Sequence, residues 1–254
     1  MNERFEASVI PTEGREDQKD SFLGLSREAI VLHVRPYRET SSLIDLFTED
    51  QGRLRLLAKG VRRSKQSQAE LLPFTRIRYA VGGRGELRLL TRYEAISGWS
   101  RLEGDALYCG FYVAELLIRL LPLEDAHPGL YGDTLSVLQR LAHGARPDFS
   151  LRCFERGLLE ELGYGLNLHE DVEGLPIVAD EVYRYHPEQG AERLAAGQEG
   201  IPGSALMALE SGRFDDERDL MWAKRLMRSM LEVHLEGRPL KSRELFQIFS
   251  KRKV

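Results

Sequence analysis

From Glu28 the chain alternates with a period of two: Ile30, Leu32 and Val34 fall on one side of an extended segment, and Ala29, Val31 and His33 on the other. The spacing predicts a strand that Pro36 stops. Alternation returns over residues 42–48, the turn-forming run Glu49-Asp50-Gln51-Gly52 reverses the chain, and 53–59 comes back as a third strand. Residues 76–82 and 86–93 make two more strands, joined by Gly82-Gly83-Arg84-Gly85, whose glycines can adopt the positive φ that a tight hairpin needs. Five short alternating strands suit a small closed barrel better than an open sheet, whose edges would need cover. An oligonucleotide-binding (OB) barrel over 25–101 is the expected architecture.

Beyond Ser100 the period lengthens. Leu107, Phe111, Ala114, Leu117, Ile118 and Leu121 recur at helical spacing until Pro122. Helices are expected at 133–142 and 148–162, with acidic N-caps or first turns, then near Ser204, at 215–236 and at 242–249. Glycines, prolines and the strand-like Val182-Tyr183-Arg184-Tyr185 mark 163–200 as an insertion in this helical domain of 102–254. The fold class is therefore α+β, a five-stranded OB barrel followed by helices. Residues 1–24 show little apolar periodicity and suggest a mobile tail or an added strand, with no function assigned.

The whole chain carries a formal net charge of −4, which by itself argues against a nucleic-acid ligand. Its distribution reverses that reading. Residues 1–26 carry 3 cations against 6 acids, 27–101 carry 15 against 8, and 102–254 carry 18 against 26, so net charge runs −3, +7, −8. Two cysteines, Cys109 and Cys153, without a Cys-x-x-Cys pair and with no leader-like start, read as buried thiols of a cytosolic protein. The apolar run 116–123 is broken by Arg119 and Pro122 and falls far short of the ~20 residues of a membrane span.

On the third strand Arg53, Arg55 and Lys59 alternate with Leu54, Leu56 and Ala58, which predicts cations pointing outward from an apolar barrel interior. Arg76 with Arg78, and Arg88 with Arg92, repeat the pattern, and Arg62, Arg63 and Lys65 lie in the intervening loop. Such a face neutralises phosphates by counterion release, which makes binding salt-dependent and nearly blind to sequence. Arg35, Arg38, Arg53, Arg55, Lys59, Arg62, Arg63, Lys65 and Arg84 are the expected DNA contacts; a merely solvated sheet face is the plainer alternative. Stacking aromatics could come from Tyr37, Phe47, Phe74, Tyr79 and Tyr93, of which Phe47 and Tyr79 fit the core better and Tyr37, in a turn, fits the surface.

No catalytic constellation is expected. Glu160 and Glu161 with His169 could be imagined as acid and base, yet adjacent helical residues diverge by about 100° and the pair reads as a charged face. Gly82-Gly83-Arg84-Gly85 lacks the Lys-Ser/Thr and following helix of a phosphate loop. His169 and His186 have no cysteine partners at short spacing, so neither a metal nor another cofactor is expected. In the helical half, Leu220, Ala223, Leu226, Met227, Met230 and His234 form an apolar stripe flanked by Lys224, Arg225 and Arg228. The closing stretch from Arg238 surrounds Leu245, Phe246, Ile248 and Phe249 with Lys241, Arg243 and Lys251. An acidic peptide with a terminal aromatic could dock there, on Lys224, Arg225, Arg228, Lys241, Arg243 and Phe246; a helix simply capping the bundle is the alternative.

Taken in order, Val31-Leu32-His33-x-Arg35-Pro36-Tyr37-x-Glu39-Thr40-Ser41, Gly52-Arg53, Ala58-Lys59-Gly60, Leu72-Pro73-Phe74, Gly83-Arg84-Gly85-Glu86-Leu87, Leu162-Gly163-Tyr164-Gly165 and Leu240-Lys241-Ser242-Arg243-Glu244-Leu245-Phe246 resemble the bacterial RecO family of recombination mediators. The resemblance implies an OB barrel, a helical domain and, in many members, a zinc-binding insertion. The cysteine-free 163–200 resembles the zinc-free branch. It further implies a cytoplasmic, nucleoid-associated DNA repair protein that binds single- and double-stranded DNA, anneals strands coated by single-stranded-DNA-binding protein through that protein's C-terminal tail, and works with RecR to load RecA. None of these steps needs catalysis by this chain. The barrel alone would equally permit an RNA-binding or ribosome-associated protein.

Overall fold

The computed structural model describes residues 27–85, 87–97 and 101–250. The segment 1–24, Lys251 and Glu86 lie outside these. Five strands, β1 (Arg27–Tyr37), β2 (Ser41–Thr48), β3 (Gly52–Ala58), β4 (Arg76–Gly82) and β5 (Leu89–Ala95), close into a barrel of order β1-β2-β3-β5-β4. All neighbours are antiparallel except β3 and β5, which meet in parallel at Leu57 and Leu89. That order is the expected OB barrel. Its interior is filled by Ala29, Val31, Ile44, Leu46, Leu54, Leu56, Ile77, Tyr79 and Leu90, the inward members of each alternating run.

Two strand limits differ from expectation. β1 runs through Pro36, which pairs with Ser42, because β4 flanks β1 only as far as Ile30. Val31 still exchanges backbone hydrogen bonds with Phe74 and Thr75, but beyond it no described strand pairs that edge of β1, and a proline there removes no ladder hydrogen bond. β5 starts at Leu89 rather than near 86, after a hairpin with Gly83 and Gly85 at positive φ. Between β3 and β4, where only a loop was expected, a 3₁₀ turn (Val61–Arg63) leads into the short helix α1 (Lys65–Glu70), whose N-terminal Ser67 amide donates to the Ser64 hydroxyl.

Helices α2 (Gly104–Leu120), α3 (Pro128–Ala142), α4 (Pro147–Glu161), α5 (Gly203–Ser211), α6 (Glu217–His234) and α7 (Lys241–Ser250) follow. α3 begins five residues before the expected start, at Pro128, and its first turn holds no acid; α4 has the expected Asp148 there. Proline is well suited to that first position, whose N–H has no intrahelical partner. The insertion folds as a three-stranded sheet, β6 (Val182–His186), β7 (Gly190–Arg193) and β8 (Ile201–Pro202), in the order β7-β6-β8. Local hydrogen bonds organise it. The buried Asp171 carboxylate accepts the amides of Glu173 (3.0 Å) and Leu175 (2.9 Å), and the hydroxyl of the fully buried Tyr183 accepts that of Val178 (2.9 Å).

The barrel and the helices share one core. Ile30, Leu32, Phe47 and Phe74 turn away from the barrel interior and pack with α2 and α3, with edge-to-face pairs Phe47–Tyr131 (5.7 Å) and Phe74–Phe111 (5.3 Å). At the same junction Gly52, at φ +64°, lies so close to the chain that a Cβ would sit 1.6 Å from the Asp125 carbonyl oxygen. Only glycine fits there.

Candidate nucleic-acid interface and partner pocket

The register of β1, β2 and β3 stacks their outward side chains in three rungs. Ile30, Phe47 and Arg53 form the first, His33, Asp45 and Arg55 the second, and Arg35, Leu43 and Leu57 the third. The helices cover the first rung and leave the third open. Arg53 is therefore buried, contrary to the expectation of an outward phosphate contact: its side chain points out of the barrel, but into the helical domain. Its Nε and Nη2 donate to the Leu121 carbonyl at 3.2 and 3.0 Å, and Nη1 lies 3.5 Å from Asp45. Burial pushes its pKa down, against the raising effect of Asp45. Asp45, itself 1% exposed, also accepts from Arg55 Nε at 2.9 Å, which leaves Arg55 half-buried.

The remaining expected cations gather at the far end of the barrel. Arg35 is exposed on the third rung, and Arg38, Lys59, Arg62, Arg63 and Lys65 are exposed on the two loops beyond it. Arg62 joins those loops, donating from Nη1 to the carbonyls of Arg38 (3.0 Å) and Glu39 (3.1 Å) while its amide donates to Thr40. Arg38, at φ +52°, places its guanidinium 5.4 Å from the ring of half-buried Tyr37. Arg84 sits apart, on the β4–β5 hairpin, whose Arg88 reaches Glu124 at 2.8 Å. On β4, Arg76 and Arg78 both pair with Glu28. Exposed His33, beside Arg35 and Arg55 on the same face, adds a side chain that charge counting passed over. Among the aromatic candidates Phe47, Phe74 and Tyr79 are buried, and Tyr93 packs partly against the barrel core.

A second site lies between α2, α4, α6 and α7, a cavity of about 550 Å³. Tyr108, Tyr112, Leu151 and Phe246 supply apolar walls, with Tyr108 and Phe246 edge to face at 6.1 Å. Lys224, Arg228 and Arg243 line it too, so four of the six expected partner residues converge. Two do not: Arg225 stacks over Trp222 at 4.9 Å, and exposed Lys241 only starts α7, its amide donating to Glu115 (3.0 Å) beside that of Ser242 (2.8 Å). These bonds, together with Arg119 donating to the Pro239 carbonyl (2.8 Å), fasten α7 to α2.

Sequence reasoning missed the base of this cavity. Arg152 and Glu155 sit one helical turn apart on α4 and are both buried, paired with each other. Tyr112 donates to Glu155 at 2.6 Å, and burial together with the Glu155 charge pushes the Tyr112 phenol well above its ordinary range. Among the described residues Nε and Nη1 of Arg152 have no hydrogen-bond partner, although the residue lines the cavity. A buried guanidinium with open donors suits an incoming carboxylate. A charged i, i+3 pair on a helix is more often surface, so only the packing of α6 and α7 reveals it.

The imagined acid–base constellation is not assembled. Glu161 faces His127 at 3.1 Å, whereas His169 faces Glu210 at 2.6 Å. His186 pairs with Glu192 at 2.9 Å, and among the described residues no group of three His, Cys, Asp or Glu could hold a metal ion. Cys109 is buried and Cys153 only partly so. Among the same residues no helix is long and apolar enough to cross a membrane.

Comparison with known proteins covers both halves. Residues 24–99 match the family model for the N-terminal region of recombination protein O, and 101–244 that for its C-terminal region. The chain is 44% identical over 221 residues to the DNA repair protein RecO of Methylococcus capsulatus, spanning 86% of this chain and 91% of that one. It is 46% identical over 226 residues to RecO of Serratia proteamaculans (87% and 93%), and 44% over 217 residues to that of Pseudomonas aeruginosa (85% and 92%).

Proposed function

Since the chain belongs to the RecO family of DNA repair proteins, we propose that it is a recombination mediator: it holds single- and double-stranded DNA on the open end of the barrel and anneals complementary strands. The observation that carries this reading is the gathering of Arg35, Arg38, Lys59, Arg62, Arg63 and Lys65 at the barrel end left uncovered by the helices. A basic surface that grips backbones without reading bases raises the local concentration of two strands, and pairing supplies the driving free energy. Arg55 and Arg84 contribute at its margins. Arg53 takes no part in binding.

Strands in the cell are coated, so annealing requires a hold on the coat. The helical-domain cavity suits the C-terminal tail of single-stranded-DNA-binding protein: the apolar walls take a terminal aromatic ring, Arg152 its carboxylate, and Lys224, Arg228 and Arg243 the acids before it. With RecR, the protein then promotes RecA loading, as a cytoplasmic, nucleoid-associated factor that performs no catalysis itself. The family assignment favours DNA over the RNA that the barrel alone would admit.

The test mixes complementary strands, bare or coated with single-stranded-DNA-binding protein, the coat being either intact or lacking its terminal residues. Annealing should quicken on bare strands and on intact coats, and fail on truncated coats. No acceleration on any substrate would overturn the mediator reading; equal acceleration on both coats would overturn the pocket alone.

A further inference from the structure

A second cavity, of about 320 Å³, adjoins the first and shares Arg228 and Arg243 with it, continuing toward Arg238, Pro239 and Leu240. Between the two shared cations stands Glu232. Its carboxylate accepts from Arg228 Nε at 2.9 Å and lies 3.5 Å from Arg243 Nη1. Arg243 in turn sits over the Tyr112 ring at 5.5 Å, on the wall of the first cavity. The cations that rim the aromatic pocket are thus already bridged by an acid of this chain.

We propose that the two cavities form one groove for an extended acidic peptide, and that Glu232 is an internal carboxylate occupying the position that an acid upstream of the peptide's terminal aromatic residue takes. The proposal rests on the pocket reading above and adds a requirement to it. With the aromatic end in the first cavity, the preceding chain crosses Arg228 and Arg243 toward Arg238. Its acid must displace Glu232, whose side chain is half exposed at the surface of α6 and so can leave the bridge without moving the helix. The displacement sets a threshold. A peptide with a single apolar end leaves the Arg228–Glu232–Arg243 bridge closed, whereas a run of acids exchanges one carboxylate for another and gains the rest of the basic rim. Glu232 therefore discriminates among acidic tails: one acid only replaces the bridge it breaks, and several are needed for a net gain.

The sign of one substitution decides the matter. In a bridge that only holds Arg228 and Arg243 in place for the ligand, Glu232→Gln weakens peptide binding; in a competing carboxylate, it strengthens it. The probe is a fluorescein-labelled synthetic peptide with several aspartates and a free C-terminal phenylalanine, titrated into the full chain by anisotropy. Glu232→Gln should tighten binding by about three- to tenfold at low salt, as expected for removal of one charge in a partly solvated groove. The gain should disappear with a peptide whose aspartates are replaced by asparagine. Unchanged or weaker binding of the acidic peptide, or an equal gain with the asparagine peptide, would overturn the proposal. Phe246→Ala separates the two levels. If it abolishes binding while Glu232→Gln changes nothing, the pocket stands and the internal carboxylate falls; if the probe binds neither the unmodified chain nor Glu232→Gln, both fall.

Discussion

Arg53, on the third strand of the barrel, donates two hydrogen bonds to the carbonyl of Leu121, just past the end of the first long helix. The Glu124 amide returns a bond to the Arg53 carbonyl at 2.9 Å, so the barrel and the helical domain are stitched through one residue's side chain and backbone. Arg53→Met would keep the apolar stem and strip the guanidinium, leaving Asp45 with Arg55 alone and the Leu121 carbonyl without its donors. A loss of about 2–4 kcal/mol of stability is expected, read by urea denaturation. DNA affinity of the remaining folded protein should be unchanged, whereas Arg35→Ala should do the reverse. A drop in affinity for Arg53→Met at full folded fraction would return Arg53 to the interface.

The open barrel end predicts a salt signature. Arg63→Gln with Lys65→Gln removes two exposed cations whose side chains hold nothing else together in the described structure, unlike Arg62, which bridges two loops. The slope of log K against log salt for single-stranded DNA should become shallower by about 1.4, at roughly 0.7 for each phosphate no longer neutralised. Filter binding between low and moderate salt measures it. An unaltered slope would place the phosphate-binding cations elsewhere.

Cys109 lines the larger cavity, and burial pushes its thiol up to about 11. At pH 8 about one molecule in a thousand is then the reactive thiolate, so alkylation should be slow and should rise about tenfold per pH unit up to roughly pH 11. The assay uses iodoacetamide and mass spectrometry on Cys153→Ser, so that a single thiol reports. The acidic phenylalanine-ended peptide should slow the reaction further at every pH. Fast modification at pH 7 would mean that burial does not hold the thiol protonated, and no protection by saturating peptide would mean that the peptide does not fill this cavity.

Asp148, at the mouth of the same cavity, is pulled up by burial, but the hydrogen bond and charge of Lys224 at 2.9 Å outweigh this and hold its carboxyl below the ordinary value. Because the folded value is the lower one, the pair stabilises the protein above the ordinary carboxylate range and loses that contribution as pH falls through the folded value. Both side chains are about half exposed, so the effect is below about 1 kcal/mol. Thermal melts of Lys224→Met should show a smaller loss of stability on acidification than the unmodified chain. An identical pH profile would leave the pair without energetic weight.

The alternation of Ala29 to Val34, Leu54 with Leu56, and Ile77 with Tyr79 was enough to read the barrel and its interior, because a strand's period of two is set by its own backbone. The same rule put Arg53 and Arg55 on one outward face, correctly, and misjudged what that face meets. In the pocket, Lys224, Arg228, Arg243 and Phe246 were legible as a basic flank and a basic terminal helix, while Tyr108, Tyr112 and Arg152 were not. They belong to α2 and α4, distant in the chain, and nothing local marks a buried Arg152–Glu155 pair as different from a surface one.

By itself the sequence determined the element types, the segregation of positive charge onto 27–101, and through its ordered motifs the family. Tertiary structure alone decided which outward faces remain open. Local backbone geometry dictates whether a side chain points in or out of its own element, but burial depends on which other element packs there. That choice follows from apolar contacts between residues far apart in the chain, such as Phe47 with Tyr131, and it turned Arg53 from a phosphate ligand into the joint between two domains.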